Sequence, residues 1–146
     1  MSKLKRLQDE ITALGTFVKL MRASESVSAD VHRHLAEKGL SVSQFGILEA
    51  IYHLGPMCQK DLAGKILKSA GNITMVIDNL EKQNLVSRFR SADDRRYLVV
   101  NLTNKGKQLI KATFPEHADG ILTRMSKLTG PEQRDLSKLL KKLGQT

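Results

Sequence analysis

The chain has 146 residues, 40% hydrophobic and 27% charged, a length and balance that suit one folded core and exclude a disordered chain. With 24 Lys+Arg against 15 Asp+Glu it carries a formal charge of +9, which favours a polyanionic partner. Its single cysteine excludes an internal disulfide framework and a Cys-only zinc site. No apolar run approaches the roughly 20 residues of a membrane span, and the N-terminus lacks a signal-peptide core, so a cytoplasmic location is expected.

Leu4, Leu7, Ile11, Leu14, Val18 and Met21 recur at alternating spacings of three and four, the narrow stripe of a helix–helix seam. Val27, Val31 and Leu35 continue it until Gly39 stops the helix. A single stripe this long needs a partner helix, from the C-terminus of the chain or from a second subunit. Ser43 is the expected N-cap of a second helix through Phe45, Ile47, Leu48 and Ile51, ended by Gly55-Pro56. A third helix buries Leu62, Ala63, Ile66 and Leu67, and Ser69-Ala70-Gly71-Asn72 reads as a turn. A fourth buries Ile73, Val76, Ile77 and Leu80, which completes a helix-turn-helix pattern.

After Asn84 the period changes from helical to alternating. Leu85–Arg90 reads as a strand with Val86, Arg88 and Arg90 on one face, and Tyr97–Leu102 as a second. The polar turn between them, Ser91-Ala92-Asp93-Asp94-Arg95-Arg96, gives the hairpin a doubly basic tip, a winged helix in outline. Thr103 caps a helix carrying Leu109, Ile110 and Phe114, and Pro115 is expected to kink or break it. Ile121, Leu122, Met125 and Leu128 resume the stripe. Thr129-Gly130-Pro131-Glu132 then opens a last helix with Leu136, Leu139, Leu140 and Leu143. The expected fold class is mainly α with a small β-hairpin wing (α+β). One domain over 1–146 holds a winged helix-turn-helix at 42–106 between seam-forming helices at 1–38 and 108–146.

Charge marks where the polyanion belongs. Residues 59–107 hold 10 basic and 5 acidic side chains, whereas 1–58 hold 7 and 6 and 108–146 hold 7 and 4. The fourth helix would lay its N-terminal half in a major groove about 12 Å wide. Ser69 and Asn72 stand at or near its start, where free backbone donors favour a phosphate, although a plain cap and turn needs the same residues. Thr74, Met75 and Asp78 lie off the apolar face, and Thr74 and Met75 suit a thymine methyl. Arg95 and Arg96 have the charge and reach for a narrow minor groove, with Asp94 orienting an arginine; the bland alternative is a solvated turn. Arg88 and Arg90 suit phosphates, and Lys60, Lys65 and Lys68 either do the same or only solubilise.

Other constellations point less sharply. His32 and His34 are two apart and face different sides of a helix, so no metal site is expected. Phe17, Met21, Phe45, Tyr52 and His53 suit either a ligand pocket or ordinary core packing. Cys58, near a helix start, is either a reactive thiol or a half-buried cap substitute. A phosphate-binding glycine loop, a His-Glu-x-x-His and a paired nucleophile and base are all missing, so neither an enzyme nor a cofactor is expected.

Asp94-Arg95-Arg96-Tyr97-Leu98-Val99-Val100-Asn101-Leu102-Thr103-Asn104-Lys105-Gly106 resembles the wing and following helix start of the MarR family of transcriptional regulators. Gln59-Lys60-Asp61-Leu62-Ala63 is similar to that family's third helix, the stretch from Gly71 to Glu81 to its recognition helix, and Leu85-Val86-Ser87-Arg88 to its first wing strand. The resemblance implies a homodimer built by the terminal helices, each basic middle entering one half of a pseudo-palindromic double-stranded DNA operator. It also implies repression, relieved when a small aromatic or phenolic ligand, or an oxidant, binds. Cys58 stands where the family often has a Thr or Ser cap, and the first helix lacks the cysteine of the family's peroxide sensors. Phe114-Pro115-Glu116-His117 is similar to a branch containing quinone-responsive regulators. The alternative is a winged-helix interaction module that binds protein or RNA and lacks a preference for palindromic duplexes.

Overall fold

A computed structural model describes residues 2–66 and 70–145. The elements run α1 Lys3–Glu37, α2 Val42–Leu54, β1 Met57–Cys58, α3 Gln59–Lys65, α4 Ala70–Lys82, β2 Val86–Arg90, β3 Leu98–Leu102, α5 Asn104–Met125 and α6 Gly130–Leu143. Helices dominate, as the composition and periodicity lead one to expect. They form two compact units, one over His34–Ala118 and one over Met1–Arg33 with Asp119–Thr146.

The first unit is built on the buried faces of α2, α3 and α4. Phe45, Ile47, Leu48 and Ile51 from α2 meet Leu62 and Ala63 from α3 and Ile73, Ile77 and Leu80 from α4. Each fully buried Leu or Ile contributes roughly 1.5–3 kcal/mol by leaving water. Ile66 and Val76 pack against this core but are only partly buried. Leu35, Leu40, Leu85, Val86, Val100, Leu102 and Ile110 complete it. The α2 N-cap is Ser41, not Ser43: Ser41 Oγ accepts the Gln44 N–H at 3.1 Å, and Gln44 Oε1 accepts the Ser41 N–H at 2.9 Å. That reciprocal pair satisfies two end donors at once, which Ser43 has no residue to match.

The sheet has three antiparallel strands in the order β1-β3-β2, one more than the sequence suggests. Met57 pairs with Val100 and Cys58 with Val99, while β2 pairs with β3 from Val86–Leu102 to Arg90–Leu98. A two-residue strand is too short to show a period. The α4–β2 connection is closed by Asn84 at φ 59, with the Leu85 N–H donating to the Leu80 carbonyl at 3.0 Å and Asn84 N–H to Glu81 at 2.9 Å. This Schellman arrangement needs a left-handed residue, which asparagine tolerates. Thr103 fastens the far end of the wing, its N–H to the Leu85 carbonyl at 3.1 Å and its hydroxyl to the Asn84 carbonyl at 2.7 Å. The same hydroxyl oxygen accepts the Gly106 N–H at 3.0 Å and so caps α5.

Pro115 does not break α5, which continues through it to Met125. The ring removes the donor owed to the Lys111 carbonyl, a residue on the exposed side of the helix, and the remaining ladder carries the helix on.

In the second unit, Thr129 and Glu132 form the capping box of α6, and Pro131 occupies its first turn. Arg124 joins the two long helices, reaching Asp30 Oδ2 at 3.2 Å and Ser26 Oγ at 2.6 Å. The apolar stripe is largely uncovered in the single chain: Leu4, Ile11, Leu14, Val18, Leu139 and Leu143 are exposed, and α6 buries none of its residues.

Candidate nucleic-acid interface

The site is built by α4 and by the β2–β3 hairpin. Burial of Ile73, Ile77 and Leu80 turns the opposite side of α4 outward. Asn72 is exposed on its first turn, and Met75 is 60% exposed. Thr74 is half-buried, its hydroxyl oxygen accepting a 2.6 Å hydrogen bond from Gln59 Nε2 at the start of α3. Asp78 stands one turn further along and is also half-buried. The α4 helix begins at Ala70, so Asn72 is a first-turn helical residue and not part of a preceding turn. Leu67, Lys68 and Ser69 lie outside the described residues.

The wing tip is a tied loop. Ser91 N–H donates to the Tyr97 carbonyl at 3.0 Å, and Tyr97 N–H to the Asp94 carbonyl at 3.1 Å. The Ser91 hydroxyl accepts from Asp93 N–H and Asp94 N–H at 3.3 and 3.4 Å. Asp94 receives Arg96 three ways: backbone N–H at 3.0 Å, Nε at 3.0 Å and Nη2 at 2.7 Å. These bonds from Arg96 hold the Asp94 carboxyl below its ordinary range and keep the guanidinium protonated. The Arg96 side chain remains 83% exposed, so the carboxylate aims it without covering it. Arg95 is exposed beside it, and Arg90 Nη1 donates to the Arg95 carbonyl at 3.3 Å.

Arg88 differs from the other wing cations. Its side chain is only 20% exposed and is bound by Asp78 and Glu81 of α4, partners that sequence reasoning missed. Their three-residue spacing puts the two carboxylates on one helix face, but nothing local links them to a strand residue.

The candidate ligand residues separate. Phe45 is 2% exposed and belongs to the core, its ring 4.5 Å from that of His117. Tyr52 and His53 are exposed, with His53 stacked edge-on against Phe114 at 4.7 Å. Phe17 and Met21 lie on the exposed face of α1, in the other unit. Cys58 holds the N-cap position of α3 but makes no side-chain cap bond. It lines a shallow groove of about 360 Å³ with Lys60, Asp61, Ser91, Tyr97 and Val99. Among the described residues, no cluster of three His, Cys, Asp or Glu is placed to hold a metal, and no helix is long and apolar enough to cross a membrane.

Residues 40–98 match the sequence profile of the MarR family. Over 132 residues the chain is 35% identical to the HTH-type transcriptional regulator MhqR of Bacillus subtilis (strain 168), covering 90% of this chain and 91% of that one. The chain belongs to the MarR family. As a MarR-family member it is a DNA-binding transcriptional regulator and not an enzyme. The MarR fold extends to the solved structures. A mutant MarR from E. coli complexed with operator DNA superposes with a TM-score of 0.80 at 22% identity, covering 94% of this chain and 97% of that one. NadR in complex with 4-hydroxyphenylacetate gives a TM-score of 0.74 at 23% identity, covering 86% and 89%.

Proposed function

We propose that the chain is a cytoplasmic repressor that binds a pseudo-palindromic operator as a homodimer and leaves it when a small aromatic or phenolic effector binds. The observation that carries this reading is the pairing of the exposed Asn72 and Met75 on α4, with the half-buried Thr74 between them, with a pre-aimed Arg96 beside Arg95 on the wing. Asn72, Thr74 and Met75 read the major groove, Arg95 and Arg96 enter the minor groove, Arg90 neutralises a phosphate, and Asp94 orients Arg96. Ser69, which precedes α4 in the sequence and lies outside the described residues, would add a phosphate contact. The terminal segments 1–38 and 108–146 build the dimer, whose exposed leucines are apolar surface that a second copy covers. The region 42–106 meets DNA.

The effector reading is supported by a structural neighbour that holds a phenolic acid. Tyr52 and His53 in one unit and Phe17 and Met21 in the other each offer accessible aromatic or soft surface to such a ligand, whereas Phe45 is core. Release by an oxidant would act through Cys58, the sole cysteine.

Selection from a random duplex pool, run with wild type and Arg96→Ala in parallel, tests the proposal. Wild type should enrich a near-palindromic motif with half-sites about one helical turn, roughly 34 Å, apart. Arg96→Ala should bind that motif more weakly, with a salt slope lower by about one unit if a phosphate contact is lost. Equal recovery of unselected sequence by both proteins rejects the operator reading in favour of a protein- or RNA-binding module.

A further inference from the structure

Resting on the DNA-binding reading above, we propose that Arg88 is a positioning residue: its guanidinium locks α4 to β2 through Asp78 and Glu81, setting the angle between the recognition helix and the wing. Arg88 Nη2 lies 2.6 Å from Asp78 Oδ1 and 3.2 Å from Glu81 Oε1, while Nε donates to Glu81 Oε2 at 3.3 Å. The guanidinium therefore grips Glu81 with two prongs and Asp78 with a third bond, a planar geometry that lysine's point charge cannot copy.

Three features separate this role from a phosphate contact. The Arg88 side chain is 20% exposed, against 83% for Arg96, so it is poorly placed to meet a polyanion. Its Nε and Nη2 donors are directed at carboxylates of the recognition helix. And Asp78 lies one helical turn from Thr74, where an unscreened carboxylate would repel the DNA backbone. A bidentate, networked arginine can add stability, and at this place it also fixes the helix–wing angle, where a small error costs an interface that engages two grooves contacts in one or the other.

The test measures binding to selected and unselected duplexes over a range of salt, for wild type, Arg88→Lys, Arg88→Gln and the double variant Arg88→Gln/Asp78→Asn. The inference expects Arg88→Lys and Arg88→Gln to lose about tenfold or more in preference for the selected duplex, with salt slopes near wild type. The double variant restores the local charge but not the tie, so its preference should stay low. A phosphate role predicts the opposite: Arg88→Lys behaves like wild type, and Arg88→Gln loses about one unit of slope on both duplexes. That result, or recovery of preference in the double variant, overturns the inference. Should Arg88→Gln fail to fold, Arg88→Lys alone decides between the two. Wild type showing no preference for any duplex rejects the DNA reading itself; wild-type preference with unaltered Arg88 variants rejects only the positioning role.

Discussion

Gly106, the third residue of α5, is buried against the backbone of the wing base. A Cβ there would run into the Leu85 carbonyl oxygen, far inside the 3.0 Å that real Cβ atoms keep, with the Leu85 carbonyl carbon at 3.1 Å. That carbonyl also accepts the Thr103 N–H at 3.1 Å, so it cannot retreat without loosening the closure of β2 on β3. In Gly106→Ala, overpacking costs about 1–3 kcal/mol and the weakened Thr103 bond about 1 kcal/mol, while alanine's helix propensity returns about 1 kcal/mol. The net loss of about 1–3 kcal/mol lowers Tm by roughly 2–12 °C for a chain of this size. Thermal melts followed by circular dichroism at one fixed protein concentration measure it, since an oligomer's midpoint moves with concentration. Gly64→Ala is the control: it is exposed on α3 with no heavy atom within 4 Å of a new Cβ, so it should gain stability, by at most about 1 kcal/mol. A Gly106→Ala midpoint at or above wild type refutes the steric reasoning.

Two further outcomes follow from the same structure. Because Arg96 stabilises the Asp94 carboxylate, the wing-tip pair is intact above the ordinary carboxylate range and is lost only as pH falls through the depressed Asp94 value. Carboxyl-carbon NMR should show the Asp94 midpoint rising in Arg96→Ala, and an unchanged midpoint counts against the chelate. Leu140 is 42% exposed in the single chain, so Leu140→Asp should leave each subunit helical while turning the proposed dimer into monomers. Light scattering at micromolar concentration decides this, and a wild-type monomer ends the dimer proposal.

Much of the fold was legible because it is written in short-range pattern. The apolar residues of α2 and α4 recur at helical spacing, and they are the residues that fill the core. The wing was readable from the change of period after Asn84 and from its polar tip. The capping pair Ser41 and Gln44 was present in the sequence at the right spacing, but a second serine at 43 competed for the role. The break expected as one outcome at Pro115 does not occur, because a proline removes one backbone donor while the rest of the helical ladder persists.

Composition and periodicity by themselves determined a basic, mainly helical chain with a hairpin wing and an apolar seam at both ends, since each of these depends on residues a few positions apart. Tertiary structure alone decided that Met57–Cys58 pairs with β3, that the Leu85 carbonyl excludes a side chain at Gly106, and that Arg88 belongs to Asp78 and Glu81. Those three depend on where the packed core sets one backbone against another, a distance that no stretch of sequence contains.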